Sequence, residues 1–158
     1  MSKLKASASL VISLGLSFSA GAIGSIGTLN AIDGWYASAA KPWFTPPNWA
    51  FGPAWTIWYT LMAIAAWQVW NSESKWRRSA LIAYLVQLTL NALWPVVFFG
   101  MRQLLFGSWI AVALAIAVFI TMCFFHLVKK SAGVALAPYW GWCVFATCLS
   151  FGLLINNP

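Results

Sequence analysis

From residue 79 to residue 128 the chain carries a single charged side chain, Arg102, beside one histidine, His126. No water-soluble fold can be built on such a run, because a hydrated surface needs polar side chains. A helix that crosses a bilayer needs the opposite, about 20 consecutive and mainly apolar residues. Five stretches qualify: 6–27, 49–70, 79–100, 104–128 and 133–155, and the last four hold no charge except at their extreme ends. Composition agrees, with 62% hydrophobic and 7% charged residues where ordinary globular domains have roughly 25% charged. The 158 residues therefore read as one domain, an all-α membrane protein built as a bundle of five transmembrane helices.

The links between these runs are short (71–78, 101–103 and 129–132), and only 28–48 is long. The first run follows Lys3 and Lys5 in the manner of a signal peptide. Its length, and the absence of a soluble domain behind it, favour a true span. The net charge of +7 comes from nine Lys and Arg against Asp33 and Glu73. These cations sit at the ends of apolar runs and form no patch, which argues against a nucleic-acid partner. With five spans, Lys3, Lys5, Lys75, Arg77, Arg78, Lys129 and Lys130 share one side, and Lys41 and Arg102 the other. Basic residues stay on the cytoplasmic side. The N-terminus is expected there, with loop 28–48 and the C-terminus opposite.

Helical spacing places Trp55, Tyr59, Met62 and Ala66 on one face of the second span. Gln87, Asn91, Trp94 and Phe98 share a face of the third, and Tyr139, Trp142, Ala146 and Ser150, with Leu149 beside them, a face of the fifth. Any one of these residues taken alone reads first as an ordinary helix–helix contact. Together they mix aromatic rings with a few uncharged polar groups, the lining that a flat hydrophobic ligand requires. Pro95 cannot donate to the carbonyl of residue 91, so a kink is expected there, serving either structure or a ligand. In the first span Ser17, Gly21 and Ser25, with Gly24 and Gly27, form a small-residue surface for close packing, within the bundle or between protomers.

Catalytic machinery is sparse. No carboxylate lies in a span, which excludes a carboxylate acid/base pair within the membrane and argues against an ion-coupled pump. His126 reads as a helix-end residue, and Cys123, Cys143 and Cys148 as buried small hydrophobes without a CxxC. No metal site and no resident cofactor are expected. Between the first two spans stands "KPWFTPPNW", residues 41–49. Its prolines fix φ and keep their preceding residues extended. Trp43 and Trp49 can seat it at the membrane interface, as a lid over the ring stripes.

The stretch "WYASAAKPWFTPPNWAFGPAWTIWYTLMAIA", with "NALWPVVFFG" and "PYWGWCVFATCLSFGLLINN" further on, resembles the signature of the translocator protein family, TspO/MBR, once called the peripheral benzodiazepine receptor, in its bacterial form. The similarity runs from about residue 35 to 157 in the family's order. It implies a five-helix bundle that forms a homodimer, with a pocket beneath the first loop for porphyrins such as protoporphyrin IX, or other flat hydrophobic ligands. Carried onto matching positions, the ligand would meet Tyr36, Pro46, Trp55, Tyr59, Asn91, Trp94, Phe98, Trp142, Ala146 and Ser150. Many members have Asn where this chain has Ser150, so that contact is expected to be weaker. Lys41 is the candidate cation for a porphyrin propionate, with Asp33 or a lipid phosphate as its other possible partners. "LSFGLLINNP" lacks the Tyr and Lys/Arg of the animal sterol motif, so sterol binding by that motif is not expected. The function implied is a porphyrin receptor or sensor in tetrapyrrole handling or stress response. The alternatives are porphyrin or lipid transport, a plain assembly partner, or light- and oxygen-dependent porphyrin breakdown, for which Trp55 and Trp142 would be the redox-active rings.

Overall fold

The computed structural model describes residues 3–158, with side chains from residue 6. The side chains of Lys3 and Lys5, counted in the charge asymmetry above, lie outside that description. The described residues are all-helical. Five helices are long: α1 (Lys3–Thr28), α3 (Phe51–Trp70), α4 (Arg77–Pro95), α5 (Leu104–Val128) and α6 (Lys130–Asn156). A single turn, α2 (Trp35–Ser38), lies inside the long loop, and a 3₁₀ turn over Asn48–Ala50 leads from Pro47 into α3.

Four of the five expected runs are long and apolar enough to cross a membrane: Ala6–Thr28, Arg77–Gly100, Leu104–Val128 and Lys130–Asn156. The second run is the exception. Helix α3 has the length, at 20 residues, but Trp55, Trp58, Trp67, Trp70, Tyr59, Gln68 and two threonines dilute its apolarity. Tyr59 is buried and Trp55, Trp58 and Trp67 are half-buried, with only Trp70 of these rings exposed, and α3 touches each of the other long helices.

The links group by end. At one end the Ser131 hydroxyl donates to Gln68 Oε1 at 2.7 Å, and Trp76 packs on Phe124. This gathers Lys75, Arg77, Arg78, Lys129 and Lys130 together. The expected link 129–132 shrinks to one extended residue, Lys129, and Gly133 lets α6 start directly against the backbone of His126. His126 itself is exposed in the last turn of α5. At the other end lie loop 28–48 and the link 101–103.

Most of the small-residue face of α1 packs within the chain, while Ser25 stays exposed. A Cβ on Gly21 would strike the Tyr59 ring, one on Gly24 would press Pro95, and one on Gly27 would come within 2.7 Å of Val96 Cα. Ser17 and the Tyr84 hydroxyl share a hydrogen bond of 2.6 Å. Pro95 ends the α geometry as its missing N–H predicts. The break takes the form of a π turn over Val96–Gly100, with the Met101 amide reaching back to Val96 O at 2.9 Å. The three cysteines divide: Cys143 is buried, whereas Cys123 and Cys148 are exposed. Side-chain type cannot tell the two settings apart in a chain whose outer surface is as apolar as its core.

At the centre an amide joins three helices. Tyr59 donates its hydroxyl proton to Asn91 Oδ1 at 2.7 Å, and Asn91 Nδ2 donates to the Tyr139 oxygen at 2.8 Å. Tyr139 in turn donates to Gln87 Oε1 at 3.3 Å, and Gln87 Nε2 to Met62 Sδ at 3.3 Å. Asn91 is 0% exposed, so nothing but these partners can satisfy it.

Two outcomes follow for thermal unfolding in detergent. Gly27→Ala is expected to destabilise by about 1–3 kcal/mol through backbone overlap with Val96, while Gly15→Ala, which meets nothing within 4 Å, is neutral or stabilising. Asn91→Leu strands the buried Tyr59 hydroxyl and takes one partner from that of Tyr139, and is expected to cost about 2 kcal/mol or more. Adding Tyr59→Phe to it should cost less than the sum of the single changes.

Candidate functional site

The three ring stripes do converge beneath the loop. Tyr59, Met62 and Ala66, all four of Gln87, Asn91, Trp94 and Phe98, and Tyr139, Ala146, Leu149 and Ser150 are buried, with Trp55 and Trp142 half-buried among them. Trp55 is the hub. Its ring stacks on Tyr59 at 5.6 Å between centroids and meets Trp94 at 6.2 Å, Tyr139 at 6.5 Å and Trp142 at 6.5 Å.

Two cavities flank this hub. The larger, about 280 Å3, lies between α1, α3 and the loop; Gly21, Gly24, Tyr36, Phe51, Trp55, Tyr59, Trp94 and Phe99 are among its lining residues. The smaller, about 30 Å3, lies toward α6 and touches Phe98, Trp142, Ala146 and Ser150. Five aromatic residues line both: Tyr36, Phe51, Trp55, Trp94 and Phe99. They form the partition between the two spaces. Gly21 and Gly24 of α1 border the larger one where α1 presses on Tyr59 and Pro95.

Polar groups at the site are few and mostly donors. The indole N–H groups of Trp94 and Trp142 are buried and have no hydrogen-bond partner among the described residues, and the same holds for Trp58. Leaving such a donor unpaired costs about 1–3 kcal/mol, so those of Trp94 and Trp142, which line the cavities, are available to an acceptor on a bound molecule. Ser150 donates to Ala146 O at 2.9 Å and keeps only its lone pairs. Tyr36 sits in the loop, and burial pushes its phenol above the ordinary value, which leaves it neutral.

Eight of the ten positions named from the sequence line at least one cavity: Tyr36, Trp55, Tyr59, Trp94, Phe98, Trp142, Ala146 and Ser150. Asn91 lines neither, because both ends of its amide are held by tyrosines. Pro46 is half-buried in the loop and lines neither. Lys41 also stands aside. Its ammonium donates to Ala37 O at 3.1 Å, lies over the Tyr36 ring at 4.7 Å, and makes no ion pair with Asp33.

Residues that spacing did not single out hold the loop in place. Asn157 accepts from the Ala40 amide at 3.0 Å and donates back to the Ala40 carbonyl at 3.0 Å. Pro42 rests where a Cβ on Gly152 would be, and Phe44 packs on Phe145 at 6.2 Å. Trp35 donates to Phe99 O at 3.1 Å, a carbonyl within the π turn. A terminal amide and one glycine carry no periodic signal, so only their three-dimensional setting reveals them.

Comparison with known proteins gives the same architecture a lineage. The TspO/MBR family model matches residues 13–155. The chain is 40% identical over 158 residues to the tryptophan-rich protein TspO of Archaeoglobus fulgidus, covering 99% of each. It is 39% identical over 137 residues to the tryptophan-rich sensory protein of Cereibacter sphaeroides, covering 87% of this chain and 85% of that one. Against the human translocator protein it is 34% identical over 129 residues, covering 78% and 75%. Since the match takes in the glycine face of α1, the ring hub and the loop over it, the chain belongs to the TspO/MBR family.

Proposed function

We propose that this chain is a five-span integral membrane protein that binds a flat hydrophobic ligand of the porphyrin class beneath loop 28–48 and acts as a receptor or sensor. The observation that carries the reading is the wall of five aromatic residues shared by the two cavities. A planar ligand entering the larger space meets ring faces, and rotation of Trp55 and Trp94 joins it to the smaller. Pockets for drug-sized molecules run to about 300–1,000 Å3, so the 280 Å3 space needs that extra volume. The unpaired indole N–H groups then meet acceptors on the ligand.

Helix α3 counts as the fifth span in this reading: Trp55, Trp58, Tyr59 and Trp67 are turned toward the interior, while Ile57, Ile64 and Trp70 are exposed on its outer side. The cation-rich end is the cytoplasmic one, which puts the loop on the opposite side. The protein works as a homodimer. The names of its relatives, sensory protein and translocator protein, suit a protein that registers or passes on such a ligand. A propionate contact to Lys41 requires the lysine to leave Ala37 and Tyr36, so the polar recognition falls first to the indoles.

The reading is tested by titrating the detergent-solubilised protein with protoporphyrin IX and following tryptophan fluorescence. Saturable quenching is expected, weakened about tenfold or more when Trp55→Phe and Trp142→Phe are combined, since two ring contacts are worth about 1–3 kcal/mol together. No saturable quenching, or an unchanged curve in the double variant, sinks it. A catalytic reading is favoured by one contact only, the edge-on meeting of Trp55 and Trp142. It expects a new absorbing product when the aerobic complex is illuminated, lost in the same double variant.

A further inference from the structure

A second hollow, about 370 Å3, opens at the loop end of the molecule but apart from the ring hub. Trp35, Arg102, Leu104, Leu105, Leu154 and Asn157 line it, where α2, the link 101–103, the start of α5 and the end of α6 meet. Arg102 stands out in three ways. It has φ 53°, the one positive φ among the described residues, in a region that favours glycine. Its guanidinium lies over the Trp35 ring at 5.3 Å. It also has no hydrogen bond or ion pair among the described residues, and the only acidic side chains of the chain, Asp33 and Glu73, do not reach it.

The other polar side chains of the hollow are already committed, and Pro158 borders it as well. The Trp35 indole donates to Phe99 O, Ser38 donates to Trp35 O, and the Asn157 amide is held by Ala40 and Leu153. Arg102 is therefore the one strong donor left over, a planar cation suited to two oxygens of a phosphate. Three leucines complete this mainly polar hollow. Leu104, Leu105 and Leu154 lead onto the exposed Phe106, Trp109 and Ile155, a surface for acyl chains. A soluble anion would make no use of that side.

We propose that this hollow binds an anionic membrane phospholipid, with Arg102 taking the phosphate oxygens and Leu104, Leu105 and Leu154 lying along the glycerol and first acyl carbons. The site is separate from the ring-walled cavities, and its test does not depend on what they bind.

The experiment follows the unfolding temperature of the delipidated full chain in neutral detergent. Short-chain phosphatidylglycerol, the matching diacylglycerol and inorganic phosphate are added separately at equal concentration. Phosphatidylglycerol is expected to raise the midpoint by about 3 °C or more, and the other two by less than about 1 °C. The shift should vanish in Arg102→Gln and in Arg102→Gly, the latter relieving the positive φ and so keeping the fold. It should survive in Lys129→Gln/Lys130→Gln at the opposite end. No phosphatidylglycerol shift in the unaltered chain, or a shift retained by both Arg102 variants, overturns the site. An equal shift with inorganic phosphate overturns the lipid as its source, and an equal shift with diacylglycerol overturns the role of the phosphate.

Discussion

One side-chain amide holds the centre of this molecule together. In an apolar surround an unpaired hydrogen-bonding group has no water to turn to, so Asn91 must be met on both sides. Tyr59 of α3 and Tyr139 of α6 meet it, and in doing so fix the distance between three helices. Tyr59 carries Trp55 stacked on its ring, and Tyr139 lies one turn from Trp142. The positions of Trp55 and Trp142 are thus set by bonds that neither of them makes. Asn91 acts as a positioning residue beneath the site.

The same economy shapes the upper half. Pro95 withholds one backbone donor, and the helix answers with a wider turn. That turn brings Val96 against Gly27, where any side chain on α1 would collide with backbone. The Phe99 carbonyl takes the Trp35 indole, so the broken helix becomes the anchor of the loop. Proline, glycine and tryptophan each have a separate reason to be where they are, and the three reasons meet at one joint.

Much of this was legible in the sequence. The apolar runs placed the long helices within a few residues, and 104–128 coincides with α5. The 3.6-residue period put the three ring stripes on inward faces. What it could not supply was the role of a polar residue on such a face, because a ligand contact and a helix-to-helix bond both place it inward. Asn91 is the case in point. Nor could spacing show that Lys41 folds back on Tyr36, since that depends on the path of an irregular loop. For α3 the apolar count misled in the other direction: its rings are large and mostly turned inward, yet tryptophan and tyrosine carry polar atoms that lower the apolarity of the run.

Lys129 has a consequence that reaches the far end of the molecule. A single extended residue joins α5 to α6, with Gly133 seated on His126, so these two helices have no slack with which to slide past one another. They form a fixed post, and any swelling of the interior must swing from that pinned end. The displacement it causes grows along the helices and is greatest beside the loop, where Asn157 grips Ala40. Filling the interior would therefore be read out as tension on that grip, turning occupancy deep among the rings into a change at the surface.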